Sequence, residues 1–288
     1  MPETPPDSLS ERVATALDRT PDAVTELTEL DGGMIGSVYR VGFDDRTVVA
    51  KVGDTPLDVE AFMLRYLTDE SDLPVPDVLY ADPELLVLTH VDGDSTFSVA
   101  TERDAADHLC RLHDVRADAF GFPRDTLTGP VRQPNPWTDS WPEFFEQHRL
   151  RHVADLAADG GSLSPSLHAR VESVADDVDS LLTDPDRPSL IHGDVWTTNL
   201  LAQNDEIRAF LDPACYYAHP EVELAYVDWT DTFGDTFFTR YRESRGIDSG
   251  FFERRRFVYR LYPLLVHVHL FGGQYPDEVA ETLNRIGY

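Results

Sequence analysis

The chain has 288 residues, 41% of them hydrophobic and 10% aromatic, enough for one large domain or two lobes with buried cores, which excludes a peptide or a disulfide miniature. Against 53 acidic residues stand 24 basic ones, a formal charge of −29, and this excludes a nucleic-acid-binding or anionic-membrane surface as the default role. The basic residues are 23 arginines and a single lysine, Lys51, while the acids divide into 35 Asp and 18 Glu.

The acids are spread through amphipathic segments instead of forming a tail, so the charge predicts a halophilic cytoplasm at molar salt, where a Debye length of about 3 Å screens self-repulsion. Cys110 and Cys215 are too few for a disulfide framework and neither belongs to a CxxC. The opening MPETPPDSLSER has no basic n-region and no apolar h-region. The longest apolar stretch, residues 261–271, is too short to span a bilayer and contains His267 and His269. A cytoplasmic protein without membrane or nucleic-acid partners is expected.

Along the chain, Leu9, Val13, Ala16 and Leu17 have helical spacing and predict a helix over 8–19. From 24 to 52 the period changes to two: VTELTEL, a glycine turn, SVYRVGF, an Asp44–Asp45 turn and RTVVAKV read as an antiparallel meander of three strands. Thr55-Pro56 introduces a helix over 56–69, and VLYA and LLVLTHV are two more strands. Five strands and one inserted helix make residues 1–92 a small lobe, with VDGDS as the hinge to 93–288. There the pattern becomes helical, over 98–115, 140–158 and 165–182, while 116–139 reads as a long ordered loop. After IHGDVWTTN come two short strands, LLAQ and IRAFL, joined across NDE; helices resume at 220–232, 251–271 and 276–286.

Four features in one order point to phosphoryl transfer. Gly32 and Gly33, in DGGMIGSVYRV, allow close backbone approach to phosphate oxygens, although a plain hairpin turn explains two glycines as well. Lys51, nine residues before Glu60, fits a phosphate-binding ammonium held by a carboxylate, the pairing that protein kinases use. A surface ion pair would be the ordinary alternative, but a chain that replaces lysine everywhere else keeps it here, where a planar guanidinium substitutes poorly. His192, Asp194 and Asn199 reproduce the H-x-D-x4-N spacing of a kinase catalytic loop, with Asp194 the base and Asn199 a metal ligand. Asp212, before Pro213, stands where the metal-binding Asp of a kinase stands. One carboxylate, one amide oxygen and the phosphates of ATP form a hard-oxygen set suited to Mg2+.

The segments HGDVWTTN and LDPACYYAHPEVELA, with FGFPRDTLTGPVRQPNPWTDSWPEFFEQHRL and YRLYPLLVHVHLFGGQY, resemble those of the fructosamine kinase, or ketosamine-3-kinase, family, a branch of the aminoglycoside phosphotransferase-like kinases. The resemblance covers nearly the whole chain. It implies an α+β, bilobal protein-kinase-like fold: a small lobe with a five-stranded antiparallel sheet and a helix, and a larger, mostly helical C-terminal lobe. It further implies ATP-dependent phosphorylation of the 3-hydroxyl of ketosamines carried by lysine or free amines. Under it Thr89, His90 and Val91 match the hinge that receives adenine, Trp196 a sugar-facing tryptophan, and His267 a histidine lining the sugar side. Thr197-Thr198 replaces the family's Ser-Gly, and Met34 stands where Cys is common. The alternatives are an aminoglycoside- or choline-type kinase of the same fold and a nucleotide-binding regulatory pseudokinase, against which Lys51, Asp194, Asn199 and Asp212 argue together. Oligomeric state and the identity of the ketosamine stay open at this level.

Overall fold

The computed structural model describes residues 6–30, 36–53 and 55–288. The first helix, α1 (Pro6–Ala16), ends before residue 19 because Asp18 takes a φ of 56°, a left-handed conformation that Asp tolerates. Strands β1 (Val24–Leu30), β2 (Ser37–Phe43) and β3 (Thr47–Val52) form the expected meander, α2 (Leu57–Glu70) follows, and β4 (Val78–Ala81) and β5 (Leu85–Thr89) complete an antiparallel sheet of order β1-β2-β3-β5-β4. Period two then decides the packing. Val41, Val48, Ala50 and Val87 share a core with Leu9 and Val13 of α1, whereas Leu86 and Leu88 meet Leu57, Ala61 and Leu64 of α2. Each buried aliphatic side chain contributes about 1.5–3 kcal/mol, so both sheet faces are secured. Lys51 follows Val49 by two on the α2 face, which aims its ammonium at that helix.

Beyond residue 96, α3 (Val99–Leu112) starts at Ser98, whose Oγ accepts the Thr101 N–H. The segment 116–139, expected to be a loop throughout, contains a hairpin of β6 (Thr126–Thr128) and β7 (Val131–Gln133); strands of three residues are too short to display a period. The helix expected at 140–158 is present as α4 (Trp141–Phe145), a π-helical turn over Glu146–Arg151, and α5 (His152–Asp159). That expected at 165–182 divides at Asp177 into α6 (Pro165–Asp176) and α7 (Val178–Leu181). Then come β8 (Ser189–Ile191), the ribbon β9 (Leu200–Gln203) and β10 (Glu206–Phe210), and β11 (Tyr216–Ala218), which pairs with β8. The chain finishes with α8 (Glu221–Trp229), α9 (Asp235–Arg245), α10 (Arg256–Phe271) and α11 (Tyr275–Ile286). No helix among the described residues is long and apolar enough to cross a membrane.

The chain divides into two compact units: one is Met1–Thr96 with Thr198–Pro213, the other Phe97–Thr197 with Ala214–Tyr288. A single boundary near residue 92 therefore does not describe the division. The β9–β10 ribbon joins the first unit, because Asp94 and Ala202 exchange backbone hydrogen bonds of 3.0 and 2.8 Å and the Phe210 N–H reaches the Pro74 carbonyl at 2.8 Å. Cys110 and Cys215 are both buried free thiols.

Candidate active site

In the first unit, Lys51 Nζ donates to Glu60 Oε1 at 2.7 Å and also bonds Asp212 Oδ1. The Lys51 and Glu60 side chains are 14% and 17% exposed and that of Asp212 is 50% exposed, so the cluster opens to solvent on the Asp212 side. Burial works against the ammonium, but Asp212 and Glu60 outweigh it and hold the Lys51 pKa above its ordinary value. Burial, opposed by Lys51 and assisted by Asp212, pushes Glu60 up. One cation thus faces two carboxylates.

The ribbon explains why Asn199 and Asp212 belong together. Asn204 and Asp205, at its tip, both have positive φ, 56° and 67°, the conformation that a two-residue type I′ turn requires and that Asn and Asp tolerate. Leu200 then pairs with Phe210, and beyond that rung the Leu211 N–H donates to the Asn199 carbonyl at 2.8 Å. Asp212 follows with a φ of 54°, before Pro213, a position where the right-handed helical region is disfavoured. A buried amide, Asn199, and a half-exposed carboxylate, Asp212, are thereby fixed at the open end of one hairpin.

In the second unit, β8 delivers His192, Gly193 and Asp194. Gly193 has a φ of +87°, and a Cβ on it would run into the Ala214 carbonyl, so only glycine fits. The loop is held by a carboxylate that sequence reasoning did not single out. Glu223, on α8, accepts the Gly193 N–H at 2.6 Å and the His192 N–H at 3.4 Å, and also His113 Nε2 at 2.8 Å. His113 in turn pairs through Nδ1 with the Tyr241 hydroxyl at 2.6 Å. Burial keeps His113 below the ordinary imidazole pKa, so it donates from Nε2 as the neutral ring and accepts from Tyr241 through Nδ1. Burial opposes the Glu223 charge, but the bonds from His113 and Gly193 carry its pKa below the usual carboxylate value.

Behind Gly193, the Ala214 N–H donates to the His192 carbonyl at 2.9 Å, and the Ala214 carbonyl accepts Gln133 Nε2 at 3.1 Å. Gln133 also accepts the Tyr262 hydroxyl at 2.6 Å, so the β6–β7 hairpin braces the catalytic-type loop. Arg149, fully buried in the π-helical turn, lies over the Tyr216 ring at 3.9 Å and bonds the Pro134 carbonyl and Asn135 Oδ1 at 2.9 and 2.6 Å.

A pocket is lined by Asp194 together with Thr128, Tyr216, Glu223, Tyr226, Tyr262 and His267, among others. Burial and then the Asp194 carboxylate push the Tyr226 hydroxyl well above the usual phenol pKa, so it stays protonated and donates to Asp194. Glu223 and Tyr226 stand three apart on α8 and hence on one helix face. Glu223 lies inside the segment LDPACYYAHPEVELA that carries the family resemblance, but no residue of it beyond Asp212 was singled out.

The structure brings Lys51, Glu60, Asn199 and Asp212 into one unit, and Asp194 and His267 into one pocket of the other. Trp196 is half-buried and does not line that pocket. Thr89 ends β5 and is bound at both its N–H and its Oγ1 by Asp77, at 3.0 and 2.9 Å; His90 and Val91 follow, half-buried, with His90 Nδ1 3.6 Å from Asp92 Oδ1. Gly32, Gly33 and Met34 lie outside the described residues.

A sequence model of the fructosamine kinase family matches residues 8–287. A "probable ketoamine kinase" of Vibrio parahaemolyticus is 28% identical over 277 residues, covering 91% of this chain and 93% of its own. The chloroplastic protein-ribulosamine 3-kinase of Arabidopsis thaliana is 26% identical over 275 residues, covering 91% and 82%. Among solved structures, a "putative fructosamine-3-kinase" from Thermobifida fusca superposes with a TM-score of 0.86 at 30% identity, covering 97% of this chain and 98% of that one. Aminoglycoside phosphotransferase APH(4)-Ia, bound to ADP and hygromycin B, gives 0.68 at 16% identity over 97% and 96%, a likeness of fold alone. The fold is therefore the α+β, protein-kinase-like one.

Proposed function

The chain belongs to the fructosamine kinase family, and from that premise we propose that it transfers the γ-phosphate of ATP to the 3-hydroxyl of a ketosamine. The observation that carries the reading is the pocket at Asp194. It holds two carboxylates, of which Glu223 is fully committed to backbone and imidazole donors, leaving Asp194 to meet an acceptor.

In this reading the substrate hydroxyl donates to Asp194, which takes its proton as the oxygen attacks the γ-phosphorus, while Tyr226 holds the carboxylate in one orientation. Lys51, steadied by Glu60, binds the phosphates as a compact ammonium. The strand end at Thr89, with His90 and Val91, receives the adenine; the Thr89 N–H is already used by Asp77, so the groups after it make the contact. Asp212 and Asn199 are hard oxygen donors fixed at one hairpin end, a set that fits Mg2+, and they would hold it. Bound there, the ion supplies neutralisation of phosphate charge. Gly32 and Gly33 are assigned to the phosphates and Trp196 and His267 to the sugar side, on the family resemblance. The charge of −29 and the lone lysine further support a cytoplasm at molar salt as the working environment.

The test is ADP release in molar KCl with Mg-ATP, offering a ribulosamine, a fructosamine and an unglycated lysine, with phosphorus NMR of the product. A sugar phosphomonoester formed only from ketosamines is expected. ATP binding without transfer to either ketosamine would overturn the reading.

A further inference from the structure

No lysine or arginine lines the pocket at Asp194 among the described residues, and burial holds the His267 pKa below the ordinary imidazole value. His267 therefore enters as a neutral ring. Its Nδ1 lies 2.8 Å from the Pro263 carbonyl, which can only accept, so the proton sits on Nδ1. From His267 a continuous series of aromatic contacts leads away from Asp194. Tyr226, which bonds Asp194, lies 5.9 Å from Trp229; Trp229 meets His267 edge to face at 5.0 Å; His267 lies 4.9 Å from Tyr275 and 5.6 Å from Phe271. Phe271, the last residue of α10, is 45% exposed. The run thus connects a carboxylate in a pocket to an aromatic ring at the surface.

We propose that Trp229, Tyr275 and Phe271, which continue the ring surface beyond Tyr226 and His267 on the sugar side, form the subsite for the amine end of the acceptor: its protonated secondary amine and the alkyl chain that follows. The proposal rests on the ketosamine reading and deepens it. A sugar needs hydroxyl partners, which Asp194, Thr128 and the tyrosines offer; an alkylammonium needs negative charge or π faces for its cation and apolar surface for its methylenes. The pocket offers the Asp194 carboxylate beside Tyr226 and His267 with no lysine or arginine in its lining among the described residues, and Trp229, Tyr275 and Phe271 carry the ring surface on from His267, a complementarity to a cationic acceptor that a neutral or anionic one would not use.

Two acceptors of equal size separate the cation from the sugar: an N-butyl ketosamine and the neutral 1-O-butyl ether of the same ketose. Each is measured by steady-state kinetics with Mg-ATP and by calorimetric titration without it. Wild-type protein is expected to prefer the amine in KM and in dissociation constant by about two- to thirtyfold, the range of a cation–π contact from exposed to desolvated. Phe271→Ala and Trp229→Leu should shrink that ratio toward one, because the amine loses its cation–π contact while the ether loses only the apolar contact that both butyl chains share. Phe271 is at the surface, so its variant reports even if the Trp229 variant melts early. An amine-to-ether ratio near one in the wild type, or equal losses for both compounds in Phe271→Ala, would overturn the proposal. Absence of turnover with any ketosamine would sink the kinase reading, and the calorimetric ratio would still decide the subsite.

Discussion

Around Lys51, in the first unit, one ammonium faces the carboxylates of Glu60 and Asp212, and Asp212 is half exposed. Around Asp194, in the second, Glu223 is wholly buried, with its oxygens taken up by Gly193, His192 and His113, and Tyr226 donates to Asp194 itself. The first arrangement is an ion cluster open on one side, which under the proposed function exchanges partners as a polyanion and its cation arrive. The second is a closed hydrogen-bond frame, whose worth lies in fixing one carboxylate orientation, since a misplaced proton acceptor loses most of its effect. Under the proposed function, charge serves for binding in one unit and geometry for proton transfer in the other.

The largest departure from that division should come from Asp194→Asn, which keeps shape and removes the base. Its kcat is expected to fall about 10²–10⁴-fold, the usual range for a general base, in a single-turnover assay; an unchanged rate would remove Asp194 from the proton-transfer role. A smaller effect is expected from Glu223→Gln, where an amide must present N–H to one of its donors. One unsatisfied buried donor costs about 1–3 kcal/mol, or roughly ten- to hundredfold if it appears in the barrier. That loss should fall on kcat and leave the KM for ATP unchanged; a matching rise in the KM for ATP would show that the frame does not act through Asp194 alone.

The smallest effect is on stability against pH. Burial pushes His219 down to about 3, and lowers His113 and His148 as well. With folded values below the unfolded imidazole value of about 6.5, the unfolded chain binds more protons, so stability is full above that pH and declines as pH falls below it. The thermal midpoint in molar KCl should therefore drop between pH 7 and 5.5. A flat or rising midpoint would mean these imidazoles are not held neutral.

Much of this was legible in the chain because it depends on short-range order. The period of two marked the strand that ends near Lys51, the nine-residue interval picked out the Lys51–Glu60 pair that the structure joins at 2.7 Å, and the H-x-D-x4-N run with Asp-Pro singled out Asp194, Asn199 and Asp212 as candidates. What escaped depends on long-range contact. His113 and Glu223 are 110 residues apart, and nothing local in either distinguishes a helix terminus or an acidic helix start from a pair that anchors a loop. The helix α9 was missed because its buried face, Phe237, Phe238 and Tyr241, is set among charged residues of low overall hydropathy. Trp196 had a motif position but not a place in the pocket, whereas His267, on an apolar helix that also fits a plain core, does line it.

The division of labour is tested most directly by measuring ATP and ketosamine dissociation constants separately for wild type, Lys51→Arg and Asp194→Asn. Lys51→Arg should weaken ATP binding by about tenfold or more, since a planar fork replaces a compact ammonium held by two carboxylates, and leave ketosamine binding unchanged; Asp194→Asn should leave ATP binding intact. Loss of ATP affinity in Asp194→Asn, or unaltered ATP affinity in Lys51→Arg, would contradict the account.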